Sequence, residues 1–387
     1  MSLKGNWSYP TQMIFGAGGI KKLATACRSL GMTRPLLVTD PGLAGLPMVT
    51  DAVAANAGAG LPTGLFSDVK PNPVGKNVED GVAAYRAGGH DGVIAFGGGS
   101  GLDTGKAVAF MAGQTKPMWD FEDVGDNWKA ADPDGIAPII AVPTTAGTGS
   151  EVGRASVILN EDTHTKIVVF HPKMLPGIVI SDPALTVGLP PHITAATGMD
   201  ALAHCLEAYC APGYHPMAEG IAVEGIRLVK DWLPTAVKEG TNLTARAHML
   251  AAASMGATAF QKGLGAIHAL SHPVGALYDT HHGLTNAVVM PYVLAYNRSA
   301  IEDKMTRLAA WLQLPSPSYP AVMDWVLALR TELEIPPTLH DLGVGDERLD
   351  ELSEMAAVDP TAGGNPIPVG APELRSMFVS AIEGRLA

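Results

Sequence analysis

The first half of the chain alternates short apolar runs with stretches of helical periodicity, and this pattern limits the fold more than any other feature. The apolar runs lie at 36–40, 92–96, 139–142, 156–159, 166–170 and 178–181. Segments 78–87 and 104–111, between the earlier runs, have apolar residues at helical spacing. Strands that alternate with helices predict an α/β domain built on a parallel, doubly wound sheet.

The second half has a different composition: it is rich in Ala, Leu, Met and Glu and has few runs of β-branched residues. Helices are predicted at 193–210, 217–229, 244–260, 301–312 and 321–333, and a Pro/Gly-rich loop at 359–372 precedes a final helix at 373–383. We therefore expect two domains: an α/β domain at 1–184 and an all-α domain at 185–387.

Composition excludes several classes of protein. With 26 Lys and Arg against 38 Asp and Glu, the net charge of −12 disfavours binding to nucleic acid or to an anionic membrane. No apolar run is long enough to span a bilayer, and residues 1–10 lack the apolar core of a signal peptide. Cys27, Cys205 and Cys210 form no Cys-x-x-Cys pair, so we expect reduced, buried thiols in a cytoplasmic protein.

Histidines are concentrated in one part of the second half. Eight of the 12 lie between 192 and 282, where a uniform spread would place about 3. Asp200 and His204 have i, i+4 spacing in an apolar helical stretch, and His268 and His272 repeat it. Any one of these could be an ordinary buried polar residue. A buried Asp, however, needs a partner, and the set as a whole predicts a site for Fe²⁺, Zn²⁺ or a similar divalent ion.

Two glycine- and threonine-rich turns follow predicted strands. Gly97-Gly98-Gly99-Ser100 leads through Asp103 into a helix, an arrangement that can bind a phosphate at the helix N-terminus, although a simple tight turn has the same pattern. The second turn covers 143–150. Asp40, at the end of another strand, could accept the adenosine ribose hydroxyls or could cap a helix before Pro41.

These segments together resemble the iron-containing (group III) alcohol dehydrogenase family over essentially the whole chain. The resemblance is carried by 15–18, 97–103, 143–151, 198–204 and 268–283. It implies a Rossmann-like nucleotide domain, a helical metal-binding domain in the fold shared with dehydroquinate synthase, and an active site in the cleft between them.

The resemblance also implies roles for individual residues. The metal ligands would be Asp200, His204, His268 and His282, the last chosen over His281 because the family ligand directly precedes a Gly. His272 would lie near the nicotinamide and relay a proton. The cofactor would contact Asp40, Asn72, Gly98, Gly99, Ser100, Asp103, Thr144, Thr145, Thr148, Val157, Lys166 and Leu185. An acid at position 40 favours NAD over NADP, because it binds a 2′-hydroxyl and repels a 2′-phosphate.

The implied reaction is hydride transfer between a small primary alcohol or diol and NAD, with Fe²⁺, or Zn²⁺ or another divalent ion in its place, polarising the substrate oxygen. We expect a homodimer or higher homo-oligomer. The family often has Asn-Pro-Arg where this chain has Asn365-Pro366-Ile367, so the substrate cannot be carried over from one relative. A maleylacetate-reductase-like enzyme, a dehydroquinate-synthase-like enzyme and a non-catalytic nucleotide or metal sensor remain alternatives.

Overall fold

The chain forms two compact units. The computed structural model describes residues 9, 11–163 and 165–386, and its units are Tyr9–Gly188 and the chain from Leu189 onward. The division into domains at 1–184 and 185–387 that the sequence predicts concerns parts that fold independently, and it stays a prediction.

The first unit is built on a parallel sheet. The described strands are β1 (Gln12–Phe15), β2 (Leu36–Val38), β3 (Gly64–Phe66), β4 (Val93–Gly97), β5 (Ile139–Pro143), β6 (Ala155–Asn160), β7 (Thr165–Phe170) and β8 (Ile178–Ser181). Six of them form one sheet in the order β1-β8-β5-β4-β2-β3, with parallel pairing throughout. Strands β6 and β7 form a separate antiparallel hairpin. The predicted parallel α/β architecture is confirmed.

Two strands of this sheet were not predicted from the sequence, β1 and β3. They occupy its two ends and are partly exposed, and β3 has only three residues. An edge strand is buried on less of its surface than a central one and therefore carries a weaker apolar signal. The central strands β4 and β5 are buried at every position, which indicates that both faces of the sheet are covered.

The helices of the first unit connect the strands. They are α1 (Leu23–Ser29), α2 (Pro41–Ala44), α3 (Pro47–Gly58), α4 (Gly75–Ala87) and α5 (Gly99–Met111). Strand β2 pairs with β3 on one side and with β4 on the other, so the strand order reverses at this point. In open parallel sheets, ligands bind beyond the carboxyl ends of the strands at such a reversal.

Every regular element that the structure describes in the second unit, from Leu189 onward, is a helix. Its helices are α6 (Pro191–Cys210), α7 (Pro216–Lys238), α8 (Leu243–Ala259), α9 (Ala266–Tyr278), α10 (His282–Trp311), α11 (Tyr319–Glu332), α12 (Leu349–Val358) and α13 (Ala371–Glu383). Helix α6 packs against α7, α8 and α10, and α10 also packs against α9. Among the described residues, no helix is both long enough and apolar enough to cross a bilayer.

Candidate functional site

Three helices of the second unit bring the predicted metal ligands together. Helix α6 presents Asp200 and His204 one turn apart, α9 carries His268, and α10 begins with His282. The Oδ1 atom of Asp200 lies 3.9 Å from Nε2 of His204, 3.9 Å from Nε2 of His268 and 3.7 Å from Nε2 of His282. One carboxylate oxygen therefore faces three imidazole nitrogens.

The chemistry of this cluster suits a divalent cation. Asp200, His204 and His268 are 2%, 5% and 2% exposed, and their ligand atoms all lie within 4.8 Å of one another. Ligand atoms bonded at about 2.1 Å to one tetrahedral ion would be about 3.4 Å apart, close to the observed separations. A buried carboxylate facing imidazoles is the donor set expected for Fe²⁺ or Zn²⁺. The residues present therefore fit the metal that the sequence predicts.

The electrostatic field at His268 also favours positive charge. Burial alone would lower the pKa of this imidazole, but the carboxylates of Glu207 and Asp200 outweigh burial and raise the pKa above its ordinary 6.5. A cation at this position would be stabilised by the same carboxylates.

The two adjacent histidines at the start of α10 have different surroundings. His281 has an extended backbone and caps the helix, with its Nδ1 accepting from the backbone N–H of Leu284 at 3.4 Å. His282 is the first helical residue, and its Nε2 faces Asp200. This difference agrees with the choice of His282, whose role as a ligand stays a prediction.

Two residues that sequence analysis did not single out surround the cluster. The Nδ2 atom of Asn286 donates to Oδ1 of Asp200 at 2.8 Å and lies 3.2 Å from Nε2 of both His268 and His282. Glu207 lies 2.6 Å from Nδ1 of His268. Helical spacing contained a signal for both, because Glu207 continues the Asp200–His204 face and Asn286 lies at i+4 from His282.

His272, the predicted proton relay, is held by a carboxylate from the segment after α12. Its Nδ1 lies 2.8 Å from Oδ2 of Asp359, and its ring stacks on that of His282 with centroids 5.3 Å apart. Burial alone would raise the pKa of Asp359, but His272 and the donors of Thr361 outweigh burial and lower the pKa below 3.8. An ionised Asp359 would thus orient His272.

The glycine-rich turn of the first unit lies at the reversal of the strand order, where β2 pairs with both β3 and β4. Strand β4 ends at Gly97, whose φ of +143° favours glycine, and α5 begins at Gly99. Asp40 follows the adjacent strand β2. Its Oδ1 accepts from the backbone N–H of Leu43 at 3.1 Å, so it does cap α2. An ideal Cβ on Gly97 would lie 3.6 Å from Asp40 Oδ2, which places the acid beside the turn. The α5 N-terminus, the turn and the acid fit a dinucleotide.

Ser100 and Asp103, both predicted cofactor contacts, also make bonds within the unit. Ser100 donates to the carbonyl of Pro71. Asp103 accepts from the backbone N–H of Val157 at 3.0 Å through Oδ2, and its Oδ1 lies 3.2 Å from the buried ammonium of Lys106. The bond to Val157 joins α5 to β6, whereas Lys106 lies on α5 itself. Contact of either residue with a cofactor stays a prediction.

The remaining predicted cofactor residues lie on several elements of the first unit. Thr144, Thr145 and Thr148 follow β5, Val157 and Lys166 lie on the β6–β7 hairpin, Asn72 precedes α4, and Leu185 lies in the turn Pro183–Thr186. An ideal Cβ on Gly99 would lie 2.8 Å from Thr148, so the two turns are in close contact. Leu185 is buried in the core of the unit. Binding of a cofactor by these residues stays a prediction.

Comparison with known protein families covers almost the entire chain. The model described as "Iron-containing alcohol dehydrogenase" matches residues 10–183. The model "Fe-containing alcohol dehydrogenase family, C-terminal" matches residues 194–382. The two matches correspond to the parallel-sheet unit and the helical unit.

Individual relatives are similar to this chain over nearly the whole length of both proteins. The chain is 38% identical to a 4-hydroxybutyrate dehydrogenase of Cupriavidus necator, over 96% of this chain and 98% of the relative. It is 36% identical to a 1,3-propanediol dehydrogenase of Klebsiella pneumoniae, over 96% and 97%. The crystal structure of a 1,3-propanediol oxidoreductase superposes with a TM-score of 0.93 at 35% identity, over 97% of this chain and 99% of that one. The chain therefore belongs to the iron-containing alcohol dehydrogenase family and is an oxidoreductase.

Proposed function

We propose that this protein interconverts a small primary alcohol or diol with its aldehyde, using NAD and a divalent metal ion, in the first instance Fe²⁺. The observation that carries the proposal is the convergence of three imidazole Nε2 atoms, 3.7–3.9 Å away, on one buried oxygen of Asp200. The metal would be held by Asp200, His204, His268 and His282. When bound, it would act as a Lewis acid on the alcohol oxygen, and NAD would accept the hydride.

The side chains around the cluster would orient its members and move the proton. Asn286 holds the carboxylate of Asp200 through its amide hydrogen. Asp359 accepts from Nδ1 of His272. With Nδ1 as the donor, Nε2 of His272 carries the lone pair and can accept a proton from the alcohol side of the reaction.

The first unit would bind the cofactor. Backbone N–H groups at the start of α5, next to Gly98 and Gly99, would bind the pyrophosphate. Asp40 uses one carboxylate oxygen to cap α2, and its second oxygen would accept a ribose hydroxyl. Because a 2′-phosphate would be repelled by this acid, NAD is proposed as the cofactor rather than NADP.

The substrate proposal draws on the names of the relatives. Two of them are named for 4-hydroxybutyrate and 1,3-propanediol, each a primary alcohol with a second polar group. We propose a substrate of the same class. Ile367 stands where the family often has Arg, so a diol and a hydroxy acid must be tested side by side.

A homodimer or larger homo-oligomer in the cytoplasm is also proposed. The three cysteines are free and buried, as predicted, which suits a reducing compartment. Analytical ultracentrifugation of the purified protein tests the oligomeric state.

The test of the activity is turnover with and without metal. The protein is stripped with a chelator, reconstituted anaerobically with Fe²⁺ or Zn²⁺, and assayed for NAD reduction with ethanol, 1,3-propanediol and 4-hydroxybutyrate. We expect turnover only after reconstitution. Activity that survives complete metal removal would favour a metal-independent, maleylacetate-reductase-like enzyme. Binding of both NAD and metal without turnover of any alcohol or aldehyde would favour a sensor.

A further inference from the structure

Glu207 is a buried acid with two defined partners. It lies on α6, one turn beyond His204, and is 6% exposed. Its Oε1 accepts from the backbone N–H of Ile267 at 2.6 Å, and its Oε2 lies 2.6 Å from Nδ1 of His268. A carboxylate at this depth is costly unless its oxygens are hydrogen-bonded, and both are.

The contact with His268 determines which ring nitrogen can bind a metal. A carboxylate only accepts, so Nδ1 of His268 must donate to it. The lone pair of the neutral ring then resides on Nε2, the atom that faces Asp200 at 3.9 Å. In metal sites, a carboxylate behind a ligating histidine fixes the tautomer and makes the ligand more basic.

We propose that Glu207 is a positioning residue of the metal centre, which holds His268 with its lone pair on Nε2, the atom that would bind the ion, and strengthens that bond through its negative charge. This inference rests on the proposed metal centre, and Glu207 itself is not proposed as a ligand.

A purely structural role must be separated from this one, because Glu207 also caps the N-terminus of α9. Asn365 provides the comparison, since its Oδ1 accepts from the backbone N–H of Ala266 at the same helix end, at 3.2 Å. The other side-chain hydrogen bonds of Asn365 go to Asn297 and to the carbonyl of Ile367. Asn365→Ala therefore removes a cap from α9 and leaves the bond between Glu207 and His268 in place.

The experiment measures Co²⁺ binding to the stripped, full-length protein by competition with a chelator, together with the ligand-field bands of bound Co²⁺ and the unfolding temperature. Glu207→Gln keeps the shape of the side chain and removes its charge. We expect Glu207→Gln to weaken Co²⁺ binding by about 10–100-fold and to change the ligand-field bands. Asn365→Ala should lower the unfolding temperature and leave Co²⁺ affinity at the parental value.

Three results would overturn the inference. If Glu207→Gln binds Co²⁺ as tightly as the parent and gives the same bands, the positioning role is refuted while the metal centre stands. If Asn365→Ala weakens binding as much as Glu207→Gln, helix capping accounts for the effect. If the parent does not bind Co²⁺, the proposed metal centre fails and the inference fails with it. If Asn365→Ala does not fold, the ligand-field bands decide the matter, because unchanged bands in Glu207→Gln refute the positioning role and changed bands support it.

Discussion

Gly283 packs against Ala196 with no room for a side chain between them. An ideal Cβ on Gly283 would lie 2.5 Å from the carbonyl oxygen of Ala196 and 3.0 Å from the Cβ of Asp200. Gly283 directly follows His282, so this close approach of α10 to α6 sets the distance between His282 and Asp200. A glycine is therefore required directly after the predicted ligand, because any side chain at position 283 would collide with the backbone of α6.

The first prediction follows from this packing. Gly283→Ala should displace the start of α10 and weaken metal binding, because backbone atoms cannot give way to the new methyl group as a flexible side chain would. Gly220, in the exposed face of α7, is the matched control, since an added Cβ would meet nothing within 4 Å. Gly220→Ala should keep metal and gain roughly 0.5–1 kcal/mol of stability. Metal titration and thermal unfolding of both variants test this, and parental metal affinity in Gly283→Ala would refute it.

The adjacent histidines give a second prediction. His282→Ala should lose metal and His281→Ala should keep it, because only the Nε2 of His282 faces Asp200, whereas His281 caps α10. Metal analysis of the two purified variants is sufficient. The opposite pattern would move the fourth ligand by one residue.

Cofactor preference gives the third prediction. Asp40→Gly should raise kcat/KM for NADP and lower it for NAD, shifting the preference by about 1–3 kcal/mol, the size of a charged hydrogen bond. Glycine is a suitable replacement because it costs only a few tenths of a kcal/mol at a helix N-cap. The values of kcat/KM for NAD and for NADP are measured on the parent and on the variant. An unchanged NAD/NADP ratio would mean that Asp40 acts only as the cap of α2.

The buried thiols give the fourth prediction. Burial raises the pKa of Cys27 to about 11 and those of Cys205 and Cys210 to about 12. At pH 8 only about one thiol in a thousand or fewer would be ionised, and the thiolate is the reactive form. An aromatic disulfide reagent should therefore leave the native protein unlabelled and label all three cysteines in denaturant. Fast labelling of the native protein would show that the thiols are not buried and that their pKa values are not raised.

The apolar pattern of the sequence was sufficient to predict the central strands and helices of the fold. Strands β4 and β5 are continuous apolar runs because both of their faces are covered, and α6 combines a long apolar pattern with a proline start. The edge strands β1 and β3 were missed because partial exposure weakens the apolar signal. The long predicted loop at 359–372 contains one short 3₁₀ helix, Pro360–Gly364, and the final helix, predicted at 373–383, begins slightly earlier, as Ala371–Glu383.

The site was predictable to the extent that its members share a helix. Asp200 and His204 could be paired from their spacing alone, as could His268 and His272. The contact of Glu207 with His268 and that of Asp359 with His272 join segments far apart in sequence, so no local spacing reveals them. The resemblance to the family placed Asp103 at the cofactor turn, but no sequence pattern indicated its contacts with Val157 and Lys106.

The metal content of Asp200→Ala and His268→Ala tests the central claim most directly. Both variants, with His248→Ala as the control on α8, are purified, reconstituted anaerobically with Fe²⁺, desalted and analysed for bound metal, with circular dichroism to establish that each is folded. His248 stacks on Trp232 and belongs to no part of the cluster. We predict that the folded Asp200→Ala and His268→Ala proteins lose most of their metal and nearly all NAD-linked alcohol oxidation, while His248→Ala keeps both. Full metal occupancy in both ligand variants would contradict the account.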